Sequence, residues 1–405
     1  MSIASKTRTI YLDNAAATPI DPLVKQEMVK AMELYGNPSS FNDMGRLARK
    51  KMDESRSTVA RFIGARPEEI IFTSSGSESN NTALMGVFFG NFYKDKSRNQ
   101  IITTPIEHPS VLEPLKILSY EGGETVFLKV DKNGFIDLDE LKKSLNSKTL
   151  MVSIMYANNE IGTIQSIKKI SKIIKDFRRN DKYPLFHVDA CQATEYLDMN
   201  VNNLGVDLLT FNGSKIYGPR GIGVLYVKSG TAITPYILGG GQEKGLRAGT
   251  ENLPAVAGLA KAISLIDPPS PKASDGHGKK EGKRVAELRD YFLIQLNKVI
   301  PDAKINGPIG DDRLPNNINI SIPDLSAENL LLELDKYGIY ASSGSACTAR
   351  SVEPSHVLKA IGVDKKYLDG ALRFSLGHQT TKKDIDYVVA TLPKIVGELK
   401  KRYRK

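Results

Sequence analysis

The sequence predicts an α/β protein: a large domain on a mostly parallel sheet, followed by a smaller C-terminal α/β domain. Three observations predict it. Short β-rich runs alternate with helical patterns between about residues 68 and 228. Several of those runs are almost continuously apolar, as strands are when helices cover both faces of a parallel sheet. Near residue 268 a stretch with almost no apolar residues separates this region from a second, shorter alternation.

Taken in order, Ala48, Met52, Ser55, Val59 and Phe62 share one face of a helix. Strands are expected at 69–73, 100–104, 125–130, 150–155, 185–189, 207–212 and 223–227. Between the fourth and fifth, Ile167, Ile170, Ile174 and Phe177 are spaced 3, 4, 3, which predicts a helix. Alternation of this length argues for parallel pairing. Residues 267–283, rich in Pro, Ser, Gly and Lys, read as a linker. Val285, Leu288, Phe292, Leu296 and Val299 restart a helix, and strand, helix and strand follow at 317–322, 326–338 and 371–376.

The 405 residues are 40% hydrophobic and 25% charged, ordinary for a globular protein. No apolar run approaches the ~20 residues a membrane span needs, and the first residues show no apolar signal core. Two cysteines make no disulfide framework, and a reducing compartment, the cytoplasm, fits them. Lys plus Arg number 56 against 46 Asp plus Glu, a net charge of +10 concentrated in 278–284 and 400–405. We read these runs as solvated surface; contact with nucleic acid has no aromatic-rich motif to support it.

Four strand ends carry chemistry. Lys215 follows a strand among Gly213, Ser214 and Gly218. Open α/β sheets place ligands at such strand ends. Asp189 and Gln192 follow another strand, where a carboxylate can hold a pyridinium nitrogen protonated opposite a lysine. "TSSGSESNN" (73–81) opens a helix, and backbone N–H groups with the Ser75 and Ser77 hydroxyls form a cup for a phosphate. His108 in "EHPS" offers a flat ring to stack on a cofactor. Cys347 lies in "SGSACTARS" (343–351), among small and polar residues that cannot wrap a core around a sulfur. Cys191, the other cysteine, reads as filling a small buried site.

The chain resembles the cysteine desulfurases, class V pyridoxal-phosphate (PLP) enzymes. The resemblance rests on "YLDNAAATP" (11–19), "GNPSS" (36–40), "FTSSGSESNN", "EHPSVL", "MYANNEIGTIQ", "HVDACQ", "GSKIYGP", "GGGQEKGLRAGTEN" (239–252), "SSGSACT" and "ALRFSLG". It implies PLP-dependent transferase fold type I. Residues 1–20 would belong to the small domain, 21–266 to the PLP-binding domain, and 284–405 to the small domain that carries the cysteine loop.

By the same resemblance Lys215 is the lysine that bears the cofactor and Asp189 the partner of its pyridine nitrogen. Gln192 donates to the 3′ oxygen, and His108 stacks on the ring and moves protons. Gly76, Ser77, Asn212 and Ser214 fall at the phosphate, and Thr250 matches a threonine that reaches it from the neighbouring subunit. Asn159 and Arg373 match the groups that hold the substrate carboxylate. Cys347 matches the nucleophile that takes sulfur from L-cysteine, in the branch with a long cysteine loop. No resident metal is implied; Cys347 is the residue that a transient Fe–S cluster would use. The implied partners are a second copy of the chain and a sulfur acceptor, an Fe–S scaffold or an RNA-thiolation enzyme.

The chain departs from the family pattern at Asn212 and Ser214, where serine and histidine are usual, and at Ser75 and Asn42. Two rival readings are a relative acting on selenocysteine and a PLP-free scaffold that binds sulfur carriers. Lys215, Asp189 and His108 argue against the second.

Overall fold

A computed structural model describes residues 8–179, 181–266, 277–344 and 354–403. The chain runs through β1 (Ile10–Tyr11), α1 (Pro22–Met32), α2 (Asp43–Ile63), β2 (Ile70–Thr73), α3 (Gly76–Phe92), β3 (Gln100–Thr103) and α4 (Pro109–Tyr120). Next come β4 (Glu124–Phe127), α5 (Leu138–Ser144), β5 (Thr149–Met155), α6 (Ile167–Arg178), β6 (Leu185–Asp189), α7 (Val201–Leu204), β7 (Leu208–Asn212) and β8 (Gly223–Val227). The remainder comprises α8 (Leu253–Ile266), α9 (His277–Val299), β9 (Lys304–Ile305), β10 (Asn317–Ser321), α10 (Ala327–Lys336), β11 (Ile339–Tyr340), α11 (His356–Ala360), α12 (Lys365–Leu368), β12 (Ala371–Ser375) and α13 (Lys382–Tyr403).

The strands expected between 69 and 227 all form, and they make one sheet in the order β2-β8-β7-β6-β5-β3-β4. Pairing is parallel from β4 to β7, and β8 runs antiparallel to both β7 and β2. Helices cover both faces, as the apolar runs require. Along β5, Val152 and Ile154 enter the core shared with α2, α6 and α8, while Leu150 and Met151 enter the core under α3 and α4. Ile167, Ile170 and Ile174 are buried on α6, but Phe177 is 40% exposed, one residue before the helix ends.

A second core gathers α9, α10 and α13 on a smaller sheet of order β12-β10-β9, antiparallel throughout. The N-terminal strand joins this end of the molecule. β1 pairs in parallel with β11, and Asp13 bridges to Ser375 at the end of β12.

The expected linker needs correction. Residues 267–276 lie outside the described residues, but 277–283 are the first turns of α9. Lys and Glu are good helix formers, and Arg284 closes an i,i+3 ion pair with Glu281 there. These terms outweigh the two glycines of "HGKKEGK".

The connection from β8 to α8 holds consecutive left-handed residues: Glu243 (φ 46°), Lys244 (φ 60°) and Gly245 (φ 77°). One buried ion pair holds this backbone. The Glu243 carboxylate receives Arg56 Nη2 at 2.6 Å, Arg56 Nη1 at 2.9 Å and the Phe72 amide at 2.9 Å. Glu243 is 6% exposed, so removing its cation leaves an uncompensated buried charge. Arg56→Met is expected to cost about 3 kcal/mol, read as a lower denaturation midpoint; an unchanged midpoint means the pair is not needed to hold the turn.

Candidate active site

The chain leaves β5, β6 and β7 at their carboxyl ends, where an open α/β sheet forms its binding crevice. A cavity of about 230 Å³ lies there. Gly76, Ser77, His108, Asn159, Asp189, Gln192, Asn212, Ser214, Lys215 and Arg373 all line it. Thr250 does not: it is exposed and faces a different pocket, with Phe72, Gly221 and Arg247. Cys347 lies outside the described residues.

Asp189 ends β6 and is 7% exposed. Asn80 Nδ2 donates to its Oδ2 at 2.7 Å and the Cys191 amide to its Oδ1 at 3.0 Å. A carboxylate has about four lone-pair sites, so acceptor capacity remains toward the cavity. Asn80 also donates to Ser110 Oγ at 2.9 Å. Ser110 Oγ lies 2.8 Å from His108 Nδ1, which accepts the Ser110 amide at 3.1 Å. An Nδ1 that accepts an N–H carries no proton of its own, so the neutral ring is protonated at Nε2. The same contact makes His108 the N-cap of α4, which anchors the ring.

Lys215 sits in the short 3₁₀ turn after β7 and donates from Nζ to the Ala16 carbonyl. Gln192 Nε2 donates to the neighbouring Ala15 carbonyl at 2.9 Å. The loop after β1 thus forms one wall. Ser75 is the N-cap of α3, its hydroxyl taken by the Glu78 amide, and the next residues Gly76 and Ser77 line the cavity. First-turn amides have no intrahelical acceptor and carry the positive end of the helix dipole. A Cβ at Gly76 would lie 2.6 Å from Cys191 Sγ and 2.9 Å from Asn212 Nδ2. Only glycine leaves this cradle open.

Arg373, on β12, is 1% exposed and spans the two sheets. Its Nη2 pairs with Asp13 at 2.8 Å and its Nη1 donates to the Asn159 carbonyl at 3.1 Å. Nε has no partner, nor has Asn80 Oδ1. Two orphaned polar atoms on the walls of one cavity mark it as built for a polar guest.

The class-V aminotransferase family matches residues 10–388. The chain is 46% identical over 394 residues to a protein named cysteine desulfurase IscS from Dictyoglomus turgidum, covering 97% of this chain and 96% of that one. It belongs to the cysteine desulfurases. Among solved structures it resembles a NifS-like protein, at 37% identity and TM-score 0.87 over 97% of this chain and all of that one. It also resembles SspA in complex with cysteine, at 31% identity and TM-score 0.75 over 91% and 99%. As a cysteine desulfurase it is a PLP-dependent enzyme of fold type I, and the walls suit that group. They offer a lysine amine, a carboxylate, a helix N-terminus for the phosphate, and two unmatched polar atoms.

Sequence reasoning missed three residues. Cys191 does not fill a sealed site but lines the cavity, with Asn212 Nδ2 3.5 Å from its sulfur. Burial pushes its thiol up, and the charge of Asp189 adds to the effect, so it stays protonated and a poor nucleophile. Asn80 lies one helical turn beyond Gly76, and that i,i+4 spacing was the signal that could have found it. Glu107, beside His108, is fully buried, with Oε1 accepting from Thr104 and the Met155 amide and Oε2 unpartnered. Among the described residues no His/Cys/Asp/Glu group could hold a metal ion.

Burial, opposed by those two bonds, raises the Glu107 carboxyl to about 8. A raised folded value means the fold favours the proton. The associated stability is fully present below the ordinary value near 4.5 and is lost as pH rises through about 8. Glu107→Gln stays neutral in the same shape. Its melting temperature relative to wild type is expected to rise between pH 6 and pH 9; a constant difference means Glu107 does not titrate in that window.

Proposed function

We propose that this chain converts L-cysteine to L-alanine, receives the sulfur on Cys347 as a persulfide, and delivers it to an acceptor protein. The observation that carries the reading is the convergence of Lys215, Asp189, His108, Gln192 and Arg373 on one cavity at the sheet's carboxyl edge. The relative solved with cysteine supports the substrate. Atoms balance as L-cysteine plus the Cys347 thiol giving L-alanine plus the Cys347 persulfide. The Cys347 thiolate, the reactive form, bonds to the substrate sulfur while the carbon–sulfur bond breaks. That bond's electron pair stays with the carbon, which takes up a proton.

Bound PLP supplies the electron sink for this chemistry. Lys215 holds the cofactor and, as an amine, takes the proton from the substrate α-carbon. Asp189 would pair with the protonated ring nitrogen of the cofactor, and Gln192 would donate to its 3′ oxygen. Gly76, Ser77, Asn212 and Ser214 hold the phosphate at the positive end of α3. His108, with its proton on Nε2, would face the cofactor's ring and pass protons. Asn159 and Arg373 bind the substrate carboxylate, a task that suits the planar guanidinium.

The working unit in this reading is a homodimer in the cytoplasm, and the acceptor is an Fe–S scaffold or a thiolation enzyme. Thr250, exposed and away from the cavity of its own chain, reaches the phosphate of the second copy. Residues 1–20 and 284–405 form the small domain around the large one at 21–266, which the pairing of β1 with β11 supports. Cys347 is also the residue that would ligate a transient Fe–S cluster. No helix among the described residues is long and apolar enough to cross a membrane.

Alanine and sulfide production from L-cysteine, with and without a reductant, tests the reaction. Lys215→Ala is expected to lose the visible absorbance of bound cofactor and all alanine formation; retained turnover overturns its role. Cys347→Ser is expected to keep the cofactor and end sulfur release, and mass spectrometry of the wild type should find the added sulfur on the Cys347 peptide rather than on Cys191.

Asn212 and Ser214 bond to each other, Ser214 Oγ to Asn212 Oδ1 at 3.2 Å, so the turn before Lys215 spends part of its capacity internally. The share left to Thr250 is correspondingly large. A hydrogen bond to a charged group contributes about 1.5–3 kcal/mol. Thr250→Val should therefore release PLP roughly 10- to 100-fold more readily on dialysis. A dimer by light scattering with wild-type retention sinks this assignment.

A further inference from the structure

The two ends of the segment that carries Cys347 converge on one buried side chain outside the cavity. Glu160, 1% exposed, follows Asn159 in the turn after β5. Ser355 Oγ donates to Glu160 Oε2 at 2.5 Å and accepts the Leu358 amide at 3.2 Å, so the hydroxyl that caps α11 also binds the carboxyl. On the other side Gly344 has φ 65°, and a Cβ there would lie 2.8 Å from the same Oε2 and 3.6 Å from the Ser355 Cβ. A left-handed backbone and so close an approach both call for glycine. Residues 345–353 lie outside the described residues; on one side of them Ser355 bonds this oxygen, and on the other the Gly344 backbone packs beside it.

Glu160 is itself held firmly. Its amide donates to Asn158 Oδ1 at 2.8 Å, and its carbonyl accepts from Asn317 Nδ2 at 3.0 Å and Asn319 Nδ2 at 3.1 Å, both on β10. The flanks of the segment are tied to the site as well. Ser342 exchanges backbone hydrogen bonds with Arg373 at 3.1 and 2.7 Å, and His356 Nε2 donates to the Glu107 carbonyl at 2.9 Å. Burying a carboxyl is costly unless it is hydrogen-bonded. The bond found for it here goes to the stem of the cysteine segment rather than to the cofactor cavity.

We propose that Glu160 is a positioning residue, a clasp that bonds Ser355 and packs against Gly344 and so fixes the two described residues that bracket the Cys347 segment. It rests on Cys347 being the sulfur-accepting thiol. Glu160 touches no reacting atom. It acts by aligning the segment's exit with Asn159, its neighbour in sequence and a wall of the cavity. Loss of the clasp slows the meeting of thiol and substrate while cofactor and substrate still bind.

The test uses PLP-loaded E160A, S355A, the double variant and E160Q in single turnovers with L-cysteine. Two rates are followed: the absorbance change when substrate engages, and persulfide formation on Cys347 by mass spectrometry. Each alanine variant is expected to slow persulfide formation roughly 10- to 100-fold, the scale of a misplaced reactant, and to leave the absorbance change within about twofold of wild type. The double variant should be no slower than the slower single one, because both remove one interaction. E160Q keeps an acceptor for Ser355 and should recover most of the rate. Wild-type persulfide formation in E160A, additive losses, or equal slowing of both rates overturns the clasp. Should E160A not fold, S355A and E160Q carry the same comparison. Sulfur on Cys347 at the wild-type rate in every variant defeats the clasp alone, whereas sulfur found elsewhere in the wild type defeats the assignment of Cys347 and the clasp with it.

Discussion

Parallel pairing of β5, β6 and β7 is the constraint on which the site depends. Met155 pairs with Asp189 and Asp189 with Thr210, so β5 and β6 stop level and β7 runs two residues further, to Asn212. Whatever follows a strand end must then emerge at one edge. Asn159, Gln192 and Lys215 come from three separate connections, yet each leaves the sheet within a few residues of that line. The sheet can run parallel because both of its faces are buried under helices, and those helices are also the crossovers.

Polar groups rather than apolar ones join the two cores at the crevice. Arg373 binds Asp13, the Asn159 carbonyl and the Ser342 backbone, which brings β12, the N-terminal loop, the turn after β5 and the start of the cysteine segment together. Asn317 and Asn319 reach across from β10 to the Glu160 carbonyl. These buried polar groups are bonded to one another, Arg373 Nε excepted, so this junction tolerates few alternative arrangements. Its geometry matters because the groups read as binding substrate and those that anchor the cysteine segment are the same stretch of backbone.

Burial sets the protonation of the titratable groups packed next to the cavity residues His108 and Asp189. Asp189 has two donors; Glu107, with one oxygen unpartnered, is held near 8 by burial; and His187, below Asp189 on β6, is pushed down to about 4 by burial. The Cys191 thiol beside Asp189, pushed up by burial, is suited to nothing more than lining the wall.

The sequence by itself determined the strands of the large sheet, since runs of β-branched residues buried on both faces leave a local signature, and it determined the residue types gathered at the cavity, since strand-end motifs are local as well. The family followed from those motifs in order. Tertiary structure alone decided the rest. Residues 277–283 looked like linker because two glycines hide a helix whose stability comes from the Glu281–Arg284 pair and from α9 packing on α13. Cys191 looked like core because its sequence neighbours say nothing of Gly76 and Asn212, which meet it across the cavity. Glu160 lies in the quoted motif "MYANNEIGTIQ", but its carboxyl's task was not legible, since the partners that give it one, Gly344 and Ser355, lie almost two hundred residues away along the chain. Contacts of that separation are chosen by packing, which no local pattern of residues encodes.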